Sequence, residues 1–176
     1  MDTFLCIRHA QSTMNAEGLW QGQADPPLSD EGREQAHALA ERLAGDALSL
    51  LVASNLRRAR ETAEITAREL GIATQLEPGL RELDVGAWSG LAREEIARRW
   101  PEEFAHFRTG DPDVRVGGGE TRRELRTRVL AALRSLQERY RGERIGVVTH
   151  LGVIRTLSPG LQILNAECFW LDMATL

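Results

Sequence analysis

Short apolar runs alternate with helix-patterned stretches along the whole chain, and this alternation restricts the fold more than any single motif does. Residues 4–7 form a β-like run that ends at the polar stretch Arg8-His9-Ala10-Gln11-Ser12. Residues 13–28, with Gly18, Gly22, Pro26 and Pro27, read as a structured loop. Ser29 then caps a helix with Asp30 and Glu31 in its first turn and an apolar stripe at Ala36, Leu39, Ala40 and Leu43, ended by Gly45. Residues 48–53 form a second strand that passes through Ser54-Asn55-Leu56 into a helix striped by Ala59, Ala63, Thr66 and Leu70 and stopped by Gly71. A weaker strand at 74–76 follows, and residues 91–100 make a short helix ended by Pro101. Residues 101–119, with Pro112 and Gly117-Gly118-Gly119, are the least regular segment and the expected lid or substrate-facing region. The clearest helix comes next, with a Thr121/Glu124 capping box and a stripe of Leu125, Val129, Leu133, Leu136 and Tyr140. Residues 145–149 are a buried strand ending at His150, and residues 169–173 are a candidate last strand.

Strands alternating with helices imply an α/β fold, a three-layer α/β/α sandwich whose central sheet is mainly parallel. The 176 residues, free of internal repeats and linkers, suit one domain over residues 1–176. Ligands of such sheets bind beyond the carboxyl ends of the strands, so the ends of the apolar runs mark the site. The first run delivers Arg8 and His9, the second Ser54 and, a helical turn later, Arg57 and Arg58. The third delivers Glu82 and the fourth His150. If these converge, the arginines form a pocket for a dianion, one imidazole can attack phosphorus, and the carboxyl group can protonate a leaving oxygen.

Composition narrows the chemistry further. All 22 basic residues are arginine, so a Walker P-loop and a Schiff-base lysine are both excluded. Arginine offers permanently charged forks suited to phosphate or carboxylate. Cys6 lacks the arginine six residues on that a cysteine-dependent phosphatase needs, Asp111-Pro112-Asp113 follows no strand, and no Gly-x-Ser-x-Gly elbow occurs. A zinc set from His9, His150 and Glu82 is conceivable by residue type, but flanking arginines repel a cation, so no metal or other cofactor is expected. Cys6 and Cys168 have no CxxC spacing and read as reduced packing residues. The N-terminal apolar run is too short for a signal peptide or a membrane span, and the expected location is the cytoplasm. A net charge of −4 with scattered arginines argues against a nucleic-acid partner. A homodimer is left open.

Several blocks in order resemble the histidine phosphatase superfamily, the fold shared with cofactor-dependent phosphoglycerate mutase. Arg8-His9-Ala10-Gln11-Ser12, with Asn15 following, is similar to its Arg-His-Gly-x-Thr/Ser opening, and residues 21–32 resemble its next segment. Ser54-Asn55-Leu56-Arg57-Arg58-Ala59-Arg60-Glu61-Thr62-Ala63 is similar to its arginine block, which selects Arg58 over Arg57. Leu80-Arg81-Glu82 with Gly86-Ala87-Trp88-Ser89-Gly90 resembles the acid motif. Gly118-Gly119-Glu120-Thr121 and residues 147–155 complete the set. Ala10 and Leu151 stand where the family usually carries glycine, and the tail after Arg155 departs from the continued helix of relatives.

The resemblance and the chemistry together assign His9 as a nucleophile that forms a phosphohistidine, kept neutral by neighbouring arginine charges. Arg8, Arg58 and His150 would hold the phosphoryl oxygens. Glu82 would be the general acid for the leaving alcohol and then the base for water. Asn15 and Gln21 are candidate contacts to phosphate or substrate. Standing alone, His9 would read as a structural histidine and Glu82 as a solvated carboxylate; the motif context reverses both. His37 and His106 read as surface residues, and Trp20, Trp88 and Trp100 as core or rim packing. The expected function is a phosphomonoesterase acting on small phosphorylated metabolites. Its alternatives are a mutase-type phosphoryl transferase and a non-catalytic phospholigand-binding module.

Overall fold

The computed structural model describes residues 3–176. One five-stranded sheet runs through them, built from β1 (Thr3–Arg8), β2 (Leu50–Ala53), β3 (Ala73–Leu76), β4 (Ile145–Thr149) and β5 (Cys168–Asp172) in the order β3-β2-β4-β1-β5. The first four are mutually parallel and β5 joins β1 antiparallel at the edge, which gives the mainly parallel sheet expected. Side chains alternate across each strand, so β1, β2 and β4 each feed two cores. Phe4, Cys6, Leu50, Val52 and Val147 face one side, against α6 (Arg122–Arg139) and α7 (Leu151–Leu157). Leu5, Ile7, Leu51, Ala53 and Val148 face the other, against α2 (Asp30–Leu43) and α3 (Arg57–Leu70). With both faces covered, β2 and β4 are buried at every position, as their unbroken apolar runs demand.

Local signals set most helix ends. The Ser29 hydroxyl accepts from the Gly32 N–H to start α2, the Thr121/Glu124 capping box starts α6, and Gly71 closes α3 in the left-handed conformation at φ 68°. Leu125, Val129, Leu133 and Leu136 are buried along α6 as the stripe requires, while Tyr140 caps that helix and does not extend it.

Three segments differ from the sequence reading. The loop at 13–28 contains a one-turn helix, α1 (Thr13–Ala16), started by a Ser12/Asn15 capping box that the chain spells with Asn in place of Glu or Gln. Pro101 does end α4 (Arg93–Arg99), but it also occupies the first turn of a further helix, α5 (Pro101–Arg108), where its missing N–H costs nothing. The start of the supposedly irregular 101–119 segment is therefore helical and buries Phe104. Nor are the three glycines at its end without fixed contacts. Gly117 accepts a bond of 2.8 Å from the Ala87 N–H, and a Cβ on Gly86 would lie 2.1 Å from the Gly117 oxygen, so the two glycine turns pack backbone to backbone. Trp20, Trp88, Phe104 and Phe107 form one edge-to-face cluster beside this contact, with ring centroids 5.5–6.4 Å apart.

Candidate active site

Parallel pairing of β1 with β4 aligns Arg8 with Thr149, which puts the next residues, His9 and His150, side by side past the strand ends. The His9 N–H donates to the Thr149 carbonyl at 2.9 Å, and the two imidazole centroids are 5.1 Å apart. His9 Nδ1 lies 2.7 Å from the Ala10 oxygen; a carbonyl only accepts, so Nδ1 carries the ring proton and Nε2 keeps its lone pair. That lone pair receives the Nε–H of Arg58 at 3.3 Å. Burial first, then the Arg58 charge and more weakly that of Arg8, push His9 well below the usual histidine value, against the Ala10 hydrogen bond. His9 is accordingly neutral near pH 7. Burial and the Arg58 charge act the same way on His150, whose ring nitrogens are both buried without a partner among the described residues. In a neutral ring one of these nitrogens is an N–H donor and the other an acceptor, so a bound acceptor would relieve the cost of the protonated one only.

Arg58, not Arg57, is the inward residue. It is fully buried and donates to the carbonyls of Ala24 (2.7 Å) and Gly22 (2.8 Å) as well as to His9. Burial lowers its guanidinium to about 10, opposed by the charges of Glu82 and Asp25, so it stays cationic. Arg57 points outward to Glu61. Arg8, the last residue of β1, is anchored at one end by the Ile163 carbonyl at 2.9 Å, while its Nε is buried without a partner. Ser54 does not join the group; its hydroxyl accepts the Leu56 N–H and closes the turn into α3.

Glu82 comes from the segment between β3 and α4 and reaches the same place. Its carboxylate accepts from its neighbour Leu83 (2.7 Å) and from the N–H of Gly152 in α7 (3.0 Å). Only glycine leaves Glu82 in this position, since a Cβ at 152 would lie 2.2 Å from Glu82 Oε1. Arg128 of α6 holds the segment itself. It donates to the carbonyls of Gly79, Arg81 and Glu82 at 2.7–2.9 Å and grips Glu120 with two further bonds. The sequence reading missed both Gly152 and Arg128. Gly152 sits in the matched final block and Glu120 in the glycine block, yet nothing local tells what they touch. Asn165 was missed too; it donates to the His9 carbonyl at 2.9 Å and so braces the His9 backbone from a distant part of the chain. Ala10, which replaces the usual glycine, is fully buried with φ outside the left-handed region, so its methyl causes no backbone strain.

His9, Arg8, Arg58 and Glu82 open onto a cavity of about 910 Å³ that Asn15 and Gln21 also line, whereas His150 is fully buried and is not among its lining residues. Asn15 serves the α1 capping box, and Gln21 accepts from the Ser12 hydroxyl at 2.6 Å, so both are fixed in place. His37 and His106 lie outside, each against a surface carboxylate. Among the described residues, no three His, Cys, Asp or Glu side chains cluster as metal ligands. The cavity floor therefore pairs a neutral imidazole with two guanidinium groups and one carboxylate, a set able to bind a phosphate dianion, displace its ester oxygen and protonate what leaves.

The chain is 40% identical over 154 residues to phosphoglycerate mutase-like protein 4 of Arabidopsis thaliana, covering 86% of this chain and 67% of that protein. It is 38% identical over 171 residues to a metal-independent phosphoserine phosphatase of the same plant, covering 92% and 72%. Among solved structures, a mycobacterial glucosyl-3-phosphoglycerate phosphatase in complex with VO3 superposes with a TM-score of 0.88 at 29% identity, over 97% of this chain and 90% of that one. The model of the histidine phosphatase superfamily, branch 1, matches residues 4–173, nearly the full length, and the protein belongs to that superfamily.

Proposed function

We propose that the protein is a phosphomonoesterase that hydrolyses small phosphorylated metabolites through a phosphohistidine on His9. The observation that carries this reading is the neutral, Nδ1-protonated His9 whose Nε2 lone pair is presented between Arg8, Arg58 and Glu82. In the first step Nε2 attacks phosphorus, the P–O ester bond breaks, and protonated Glu82 gives its proton to the leaving alkoxide. The positive charge arising on the ring is stabilised through the Nδ1–H on the Ala10 carbonyl. The Arg58 Nε–H, released from Nε2, passes to a phosphoryl oxygen together with donors from Arg8 and a single N–H from neutral His150. Glu82, now a carboxylate, then takes a proton from water as the water oxygen attacks phosphorus, and inorganic phosphate and free His9 result. The phosphatases among the relatives support hydrolysis as the outcome.

Transfer of the phosphoryl group to a second alcohol is the competing reading, supported by the mutase-like relative. Purified protein mixed with 3-phosphoglycerate decides between them: free phosphate in large excess over 2-phosphoglycerate is expected, and bisphosphate-primed isomerisation would overturn hydrolysis. An alkaline quench during turnover of p-nitrophenyl phosphate should trap label on His9 and lose it in His9→Ala. Label on serine or aspartate contradicts the mechanism, and absence of turnover leaves a binding module.

A further inference from the structure

The carbonyl that fixes the proton of His9 is itself held from behind, by a helix that lends no side chain to the cavity. Ala10 O faces the His9 Nδ1–H at 2.7 Å, and the N–H at the other end of that peptide group, on Gln11, donates to Gln35 Oε1 at 2.9 Å. Gln35 stands on α2 and is the acceptor that the Gln11 N–H meets among the described residues. Its amide has a defined sense. Gln35 Nε2 donates at 3.0 Å to the Glu31 carboxylate, one turn earlier on α2, and a carboxylate only accepts, so the amide oxygen is the atom that faces Gln11. One unbroken run of hydrogen bonds therefore links His9, the peptide between Ala10 and Gln11, Gln35 and Glu31. Every donor in it points away from His9 toward the carboxylate.

The packing of α2 permits this contact. A Cβ on Gly32 would lie 1.9 Å from Gln11 O and 2.9 Å from its carbonyl carbon, so only glycine in the first turn lets the helix come so close. The Gln11 carbonyl also accepts the Ser29 N–H at 3.0 Å. Ser29 and Gln35 thus hold Gln11 by its C=O and its N–H, and the register of α2 on the His9 loop is fixed.

Hydrogen bonds in such a run polarise one another, so a peptide that donates at its N–H accepts more strongly at its carbonyl. Ala10 O carries its greatest load once Nε2 holds a phosphoryl group. The ring is then positive, and a charge-assisted bond from Nδ1–H is about twice as strong as a neutral one. The run favours the Nδ1–H tautomer in the free protein and the charged ring after attack, and no proton has to move along it.

We propose that Gln35 is a positioning residue for the nucleophile, which acts through the peptide between Ala10 and Gln11 to hold His9 in the Nδ1–H tautomer and to stabilise the ring charge of the phosphohistidine. The second part rests on the phosphatase reading above; the first needs no turnover.

Two substitutions test it. Gln35→Met keeps the length of the side chain and removes the acceptor, whereas Gln35→Glu keeps an oxygen for the Gln11 N–H. Gln35 is half-buried on the helix surface, and both replacements are good helix formers, so the fold tolerates either. In Gln35→Met, kcat/KM for p-nitrophenyl phosphate should fall about tenfold or more, the range for partners that orient a ligand histidine from behind. The competitive inhibition constant of inorganic phosphate should stay within about twofold, because the lost stabilisation belongs to the transition state and not to phosphate binding. NMR of the ring nitrogens in the free protein should show His9 protonated on Nδ1 in the wild type and a population moved toward Nε2–H in Gln35→Met. Gln35→Glu should restore both readouts. An unchanged tautomer or an unchanged kcat/KM in Gln35→Met overturns the proposal, as does a Gln35→Glu variant equally impaired. A parallel loss of phosphate affinity would reduce Gln35 to a structural role and overturn it too. Failure of the underlying reading has a different signature: the wild type would turn over no phosphate ester, while the tautomer comparison would still decide whether Gln35 governs His9.

Discussion

Replacing Gly152 by alanine should separate protonation of the leaving group from every other part of the reaction. The added Cβ would stand 2.2 Å from Glu82 Oε1 and 3.0 Å from its Cδ, so the carboxylate has to swing away and its bond to the Gly152 N–H is lost. The displaced atoms are the end of a flexible side chain, so the fold accommodates the change. Gly152 is the second residue of α7, where alanine is favoured by about 1 kcal/mol. A charge-assisted hydrogen bond is worth about 1.5–3 kcal/mol. Since Glu82 keeps the Leu83 N–H and is only half buried, the net stability change should stay within about 2 kcal/mol. Catalysis should respond far more. A positioned general acid contributes roughly 10²–10⁴ in rate, and only where the leaving oxygen needs a proton. Turnover of alkyl phosphates should drop by about 10² or more, and that of p-nitrophenyl phosphate by less than about tenfold. The assay is kcat/KM over a series of phosphate esters of rising leaving-group pKa, with urea unfolding as the control for folding. A steeper dependence on leaving-group pKa is the expected result, and Glu82→Gln should give the same slope. Equal losses across the series, or no loss, would refute the assignment of Glu82 as the acid.

Arg128→Gln removes the donors that hold the Gly79, Arg81 and Glu82 carbonyls, so it should cost about 2 kcal/mol of stability. It should also reproduce the leaving-group dependence of Gly152→Ala, and a variant with parallel losses on all esters would show Arg128 to be merely structural. Activity should survive chelation by EDTA and be inhibited competitively by vanadate; restoration of lost activity by a divalent ion would contradict the arginine-based site. Stability should decline as the solution is acidified, because His9 and His150 resist protonation in the fold yet accept protons near pH 6.5 once unfolded. The stabilisation is complete above that value and is lost below it by up to about 1.4 kcal/mol per pH unit for each histidine, down to the folded values. Urea titrations at pH 7.5 and 5.5 measure this, and His150→Asn should flatten the slope; an unaltered slope would show that the histidines are not its source.

The sequence by itself determined most of the elements, α1 and α5 excepted, and pointed to the floor of the site. Capping residues such as Ser29 and Thr121, the stripe along α6 and the glycine after α3 act within a few residues of themselves, so their meaning is local and legible. Alternation of strands with helices led to a mainly parallel sheet, and parallel sheets gather their ligands at the carboxyl ends of the strands, which picked out Arg8, His9 and His150 before any coordinate. Choosing Arg58 over its neighbour needed the family pattern, because helical periodicity does not by itself say which of two adjacent arginines turns inward. Tertiary structure alone decided the rest. The bond from Gly152 to Glu82 spans 70 residues and the grip of Arg128 on the Glu82 carbonyl spans 46, and no local pattern records such distances. The same holds for the glycine turns at 86 and 117, whose backbones meet only because the packed core brings two loops into contact. Arg122, Arg126 and Arg155 read in the sequence as scattered positive charge on two helices; it is the packing of α6 against α7 that brings them to the lining of one cavity.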